Sequence, residues 1–185
     1  MRADGSDMVW LAAGDDPAWS PDGEKLAFTS DPNGLASISV MNADGSGATE
    51  LTLGAQPAWS PDGTRIAFTS TTVVDSVWHD DIYVMNADGS AAVPLYTMIP
   101  FGSYPWAHRP AWSPDGRTIA FDASPDPDMG VTNVYRMNPD GAGVRSLTGA
   151  GFPRHCCPAW SPDGRQLLVW SEAAPGLWES DRNVL

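Results

Sequence analysis

Apolar residues in this chain fall in runs of about four, each closed off by turn-forming residues. The clearest are Leu26-Ala27-Phe28-Thr29, Ile66 to Thr69, Ile119 to Asp122 and Leu167 to Trp170. Short apolar runs bounded by Pro, Gly and Asp read as buried strands. A second set, Ile38 to Met41, Ile82 to Met85 and Val134 to Met137, stops each time before Asn-Ala-Asp-Gly or Asn-Pro-Asp-Gly. Asp-Gly between two such runs is a strong hairpin signal. A third set follows it: Thr49 to Leu53, Val93 to Thr97 and Val144 to Thr148. No stretch of a dozen residues places apolar side chains at i, i+3, i+4 and i+7, and 17 Pro and 18 Gly interrupt every candidate helix. The pattern predicts an all-β chain.

The runs belong to a repeat. Pro-Ala-Trp-Ser-Pro-Asp-Gly begins at Pro17, Pro57, Pro110 and Pro158. Ala18-Trp19-Ser20 supplies a first strand, a. Pro21 then presets φ at the corner of a turn, and Gly23 accepts a positive φ at its end. The runs above supply strands b, c and d. Four strands per unit, at spacings of 40, 53 and 48 residues, predict a β-propeller. Trp19, Trp59, Trp112 and Trp160 recur at one place in each blade, where packing between neighbouring blades needs large apolar groups.

The expected architecture is one domain of four four-stranded blades: 17–56, 57–109, 110–157, and a composite of 158–185 with 1–16. The chain ends at Leu185, where the repeat next requires the Met of Met-Asn-Ala-Asp-Gly, and Met1 begins a diverged copy of that motif. Met8-Val9-Trp10-Leu11 would be the fourth strand of the composite blade, closing the ring and removing its free edges. Asn183 departs from the pattern, since it falls where Ile38, Ile82 and Val134 stand elsewhere. The alternatives are two chains joining in one eight-bladed ring, or a piece of a longer propeller.

The PAWSPDG motif, the Ile/Leu-Ala-Phe after it and Met-Asn-Ala-Asp-Gly-Ser closely resemble the WD-like repeats of TolB-type propellers over nearly the whole chain. They are also similar to repeats in propeller domains attached to prolyl-oligopeptidase-type peptidases. The resemblance implies a β-propeller scaffold, often used for protein binding in the bacterial envelope. It implies no single activity, because one fold hosts many functions. Members of the family often have six or more blades, more than the repeats here provide.

Charge adds an exclusion. Ten Lys and Arg stand against 23 Asp and Glu, a formal net charge of −13. Such a field repels phosphate backbones and disfavours nucleic acid as a partner. Many of the carboxylates fall in Asp-Gly turns. No apolar run reaches the roughly 20 residues of a membrane helix, so no membrane insertion is expected. No signal peptide is expected either, and the compartment stays open between periplasm or envelope and cytoplasm.

Antiparallel strands put the a–b and c–d turns on one face and the b–c and d–a loops on the other. The first face is uniform: Ser-Pro-Asp-Gly and variants of Ala-Asp-Gly-Ser. The second carries long segments, Thr71 to Asp81, Met98 to Arg109, Ala123 to Asn133 and Gly149 to Cys157. Long loops on a rigid scaffold are where binding concentrates. Trp78, Tyr104, Trp106, Arg109 and Phe152 are the expected ligand-binding residues there, for a protein segment or a small molecule. His79, His108, His155 and Cys156 fall on the same face and form a candidate Zn or Cu site. No HExxH or CxxC spacing supports it, and no GxSxG elbow or phosphate loop is present. The adjacent Cys156 and Cys157 leave a vicinal disulfide as a further possibility. The sequence therefore favours a non-catalytic binding propeller, monomeric or homodimeric, over a small metal-dependent enzyme or an assembly unit of a larger propeller.

Overall fold

A computed structural model describes residues 6–74, 76–97, 106–124, 131–149, 154–171 and 176–179. The described residues form strands and turns, with no helix among them. The first sheet is a meander of β1 (Asp15–Trp19), β2 (Lys25–Ser30), β3 (Ser37–Asn42) and β4 (Thr49–Leu53). The second holds β5 (Ala55–Trp59), β6 (Arg65–Val74), β7 (Val77–Asn86) and β8 (Val93–Tyr96), and the third β9 (Trp106–Trp112), β10 (Ile119–Ser124), β11 (Asn133–Met137) and β12 (Arg145–Ser146). These two meanders join through one parallel bridge, Asp80 to Trp106. The last sheet is β13 (His155–Trp160), β14 (Gln166–Ser171) and β15 (Gly176–Glu179). Each meander runs antiparallel from strand to strand, and β1, β5, β9 and β13 touch in succession as the inner strands of a propeller-like array.

The Ser-Pro-Asp-Gly turn is built the same way four times. In the second sheet the Ser60 hydroxyl donates to Asp62 Oδ1 at 2.6 Å and accepts the Arg65 amide at 3.0 Å. Gly23, Gly63, Gly116 and Gly164 close the four turns with φ of 70–72°, a conformation that favours glycine. Six turn aspartates, 22, 44, 62, 88, 115 and 163, are each held below their ordinary range, chiefly by a serine hydroxyl.

The core lies between sheets. Strand alternation turns Ile66 and Phe68 toward the first sheet and Ala67 toward the third. Trp59, Ile66 and Phe68 pack with Ala27, Ile38 and Val40. Trp112, Ile119 and Phe121 repeat this on Ala67, Ile82 and Val84, and Trp160, Leu167 and Val169 on Ala120 and Val134. Two cross-seam contacts add direction: Trp160 Nε1 donates to the Ala111 carbonyl at 3.1 Å, and the Arg65 guanidinium sits 4.8 Å over the Trp112 ring.

Two sequence expectations change. Thr71 to Asp81 is not a loop, because β6 and β7 continue through it as a hairpin. Thr71, Thr72, Val73 and Val74 are all β-branched, and such residues favour extended backbone. The ring closure also differs. Leu167 pairs with Trp178, as Leu26 pairs with Met41 and Ile66 with Met85. Trp178 therefore fills the place expected to fall to Met1, and Asn183 lies outside the described residues. Residues 6–14 form no strand beside β15, so the described sheets do not close. Residues 1–5 and 180–185 lie outside the described residues.

Candidate functional site

Each inner strand carries an irregularity at one repeat position. Asp16, Gln56, Arg109 and Cys157, the residues before the repeat prolines, have φ of 49°, 58°, 53° and 61°. Left-handed backbone at a non-glycine residue stores roughly 1–3 kcal/mol. At each, the ladder slips. Asp15 faces Thr29 and Ala18 faces Ala27, so residues 16 and 17 both oppose Phe28. The same two-on-one arrangement opposes Phe68, Phe121 and Val169. These are β-bulges, a device that re-aims side chains beside functional sites. Proline suits the second bulge position because it has no N–H to leave unpaired.

The bulge amides find acceptors on the preceding sheet. The Gln56 amide donates to Thr29 Oγ1 at 2.9 Å, the Arg109 amide to Gln56 Oε1 at 3.1 Å, and the Cys157 amide to Asp122 Oδ1 at 3.4 Å. Thr69 Oγ1 also donates to Gln56 Oε1 at 3.0 Å, and Arg109 Nη1 to Asp122 Oδ2 at 3.1 Å. With Thr29 Oγ1 donating to Asp16 Oδ2 at 3.4 Å, a polar belt thus runs across the four inner strands. Asp122 is fully buried within it, and that burial raises its pKa even though Arg109 and the Cys157 amide favour the charged form.

Above the belt, between the first two sheets, lies a cleft of about 360 Å³. Leu35, Leu53 and Trp78 give it apolar walls. Gln56, Thr69, Thr71, Asp80 and His108 give it polar groups. Asp80 Oδ1 accepts from Thr71 Oγ1 at 2.6 Å, and Oδ2 meets His108 Nε2 at 2.9 Å. The His108 contact is the main reason the Asp80 carboxyl titrates below its ordinary range. His108 in turn stacks on Trp106, ring centres 4.7 Å apart. The pair has a base and an orienting carboxylate. The Thr71 hydroxyl, however, is bonded to the carboxylate rather than the imidazole, the wrong end for activating a nucleophile.

Of the expected binding residues, Trp78 lines this cleft with 55% of its surface exposed, Trp106 braces its histidine, and Arg109 sits in the belt. Tyr104 and Phe152 lie outside the described residues. The expected metal ligands do not converge. His79 alternates with Trp78 and Asp80 on β7, so it points into the core, 1% exposed, with no hydrogen bond to either ring nitrogen among the described residues. His108 is engaged by Asp80. His155 lies on β13, and Cys156 is bonded to Cys157, which leaves neither sulfur as a thiolate ligand. Among the described residues no three His, Cys, Asp or Glu side chains gather around a point that could hold a cation. Gln56, Thr69, Thr71 and Asp122 were not expected site residues. Their signal was positional: they stand immediately before the repeat proline, after the apolar run, or within the extended hairpin.

Residues 12–98 and 54–177 each match the family model described as the TolB beta propeller domain. No curated protein sequence matches the chain. Among solved structures, a TolB-type protein of Agrobacterium tumefaciens superposes with a TM-score of 0.67 at 26% identity, over 90% of this chain and 55% of that one. TolB of Acinetobacter baumannii superposes at 0.70 with 20% identity, over 91% and 41%. The propeller domain of the trilobed protease of Pyrococcus furiosus, described as having an open velcro topology, superposes at 0.59 with 18% identity, over 86% and 48%. The chain thus spans about half the length of these structures.

Proposed function

Because the chain belongs to the TolB β-propeller family, we propose that it is a binding module that takes a segment of a partner protein into the cleft between its first two sheets. The observation that carries this is Trp78, an exposed aromatic standing over the Thr71–Asp80–His108 chain in a cleft sized for one or two side chains. Exposed aromatics on rigid strands are strong anchors, because little side-chain freedom is lost when they are covered. The segment that fits carries an apolar or aromatic side chain for the Leu35, Leu53 and Trp78 walls. A basic residue beside it suits Asp80 and the net charge of −13. An envelope location belongs to this reading: the family resemblance supports it, and the Cys156–Cys157 bond suits an oxidising compartment.

Selection of displayed peptides on the purified chain tests the reading. Selected peptides should be enriched in an aromatic next to Lys or Arg. Trp78→Ala should weaken their binding by about tenfold or more, the usual loss at an aromatic anchor. Peptides that bind Trp78→Ala as well as they bind the parent, or that are displaced only by substitutions in the Asp-Gly turns of the opposite face, would overturn it.

A further inference from the structure

A structural disulfide holds distant parts of a chain together, and Cys156–Cys157 does not. It joins neighbours in sequence at the start of β13. The loop it closes contains no other residue, so it removes almost no freedom from the unfolded chain. Nor does it shape the backbone around it. Cys157 is the bulge residue of the last sheet, with φ of 61°, and Asp16, Gln56 and Arg109 adopt φ of 49°, 58° and 53° at the same repeat position with no sulfur present. The ladder slips in the same way in all four sheets. A bond that does not stabilise the fold is not stabilised by it either, because coupling between two equilibria is reciprocal.

The bond is also within reach of a reagent. Cys157 is exposed and Cys156 half-buried. Arg109 is exposed at the same repeat position in the third sheet, which is packed on both sides. The exposure therefore belongs to the bulge position and not to the place of the last sheet in the array. The Cys157 amide donates to Asp122 Oδ1, and the other oxygen of that carboxylate takes Arg109 Nη1. Neither of these bonds uses sulfur, so both can persist when the disulfide opens.

We propose that Cys156–Cys157 is a redox-active disulfide that accepts two electrons from a dithiol. One thiolate of the dithiol attacks Sγ of Cys157, the more exposed of the two residues. The S–S bond breaks, and Cys156 leaves as a thiolate and takes up a proton. The second thiol of the dithiol then attacks its partner sulfur in the mixed disulfide and releases Cys157. The dithiol ends as a disulfide, and its two protons end on Cys156 and Cys157. A dithiol is required because the freed Cys156 stands beside the mixed disulfide. It expels a monothiol and restores the starting bond, whereas a second thiol already tethered to Cys157 outpaces it. The formal charge of −13 favours a neutral or basic dithiol over an acidic one.

Equilibration of the purified chain with mixtures of reduced and oxidised dithiothreitol, quenched by alkylation and read by intact mass, tests this. The bond should be half reduced while oxidised dithiothreitol still outnumbers the reduced form about tenfold, and diamide should restore it. The monothiol 2-mercaptoethanol, at equal thiol concentration, should act about tenfold more slowly or worse. A Cys156→Ser/Cys157→Ser chain should keep the parent circular dichroism and melt within about 3 °C of it. Cys156→Ser, which keeps the exposed thiol, should react with dithiobisnitrobenzoate about tenfold faster than Cys157→Ser. Reduction that needs a denaturant, or a melting temperature that falls by more than about 3 °C in the double variant, would mean a structural bond and overturn the inference. So would equal rates for the two single variants, or a reduced chain whose thiols diamide fails to join. These outcomes are independent of whether peptides enter the cleft.

Discussion

Ser60→Ala removes the hydroxyl at the centre of one of the four repeated turns. Ser60 is 1% exposed, donates to Asp62 Oδ1 at 2.6 Å and accepts the Arg65 amide at 3.0 Å. The amide bond is worth about 1 kcal/mol, and leaving its partner unmet adds about 1 more. The bond to Asp62 holds that carboxyl at about 2, from an ordinary 3.8, with the Thr64 amide and hydroxyl helping. A shift of that size corresponds to about 2.4 kcal/mol if unscreened. Asp62 faces solvent, and screening reduces the figure to about 1 kcal/mol, shared among its three donors. The substitution should therefore cost about 2–3 kcal/mol at pH 7, or roughly 5–10 °C in Tm for a chain of this length. A carboxyl lowered in the folded state stabilises above its unfolded value of 3.8, and that contribution is lost as pH falls from 3.8 toward 2. The gap between parent and variant should accordingly be constant from pH 7 to 5 and narrow below pH 4. Urea titrations at pH 7, 5, 4 and 3 measure both effects. A loss under about 0.5 kcal/mol at pH 7, or a gap that widens in acid, would show that the hydroxyl does not organise the turn.

Two further predictions concern the seams and the belt. Ala120→Leu places a larger side chain in a closed seam under Trp160, Leu167 and Val169. The overpacking should destabilise by about 1–3 kcal/mol in urea titration. Asp122→Asn removes a buried carboxyl whose pKa is raised chiefly by burial. A raised carboxyl stabilises below 3.8 and loses that contribution as pH climbs through its folded value. The parent should thus weaken as pH rises past about 4 while the variant stays flat, with a cost at pH 7 under about 1 kcal/mol, because Arg109 keeps 43% of its side chain in water.

The repeating parts of the fold were legible because their residues repeat. Ser-Pro-Asp-Gly, the apolar runs and the tryptophans each name their own place, and the structure puts them there, except that Trp19 stands 58% exposed instead of packing between sheets. The β6–β7 hairpin was readable in principle from four β-branched residues in a row, but its length against the other repeats made it look like a loop. The candidate metal ligands stand apart among the described residues for a reason of period: in a strand, neighbouring residues face opposite ways, so His79 turns into the core while the next residue, Asp80, engages His108. The bulges were hidden for a different reason. Asp16, Gln56, Arg109 and Cys157 share no chemistry. What they share is a left-handed backbone just before the repeat proline; the proline is visible in the sequence, but the bonds that the Gln56, Arg109 and Cys157 amides make to the neighbouring sheet are not. The cleft depended on that same lateral arrangement, since Asp80 and His108 meet only once the second and third sheets stand side by side.

Covering each alanine with the aromatic wall of the next unit has a consequence for how such a protein changes over generations. Every joint is made from the same few residues, and each unit answers only to its two neighbours. A gene segment encoding one unit can be copied or deleted without new surfaces having to be invented. The array can therefore lengthen, shorten or be shared between polypeptides while the loops on its working face diverge freely.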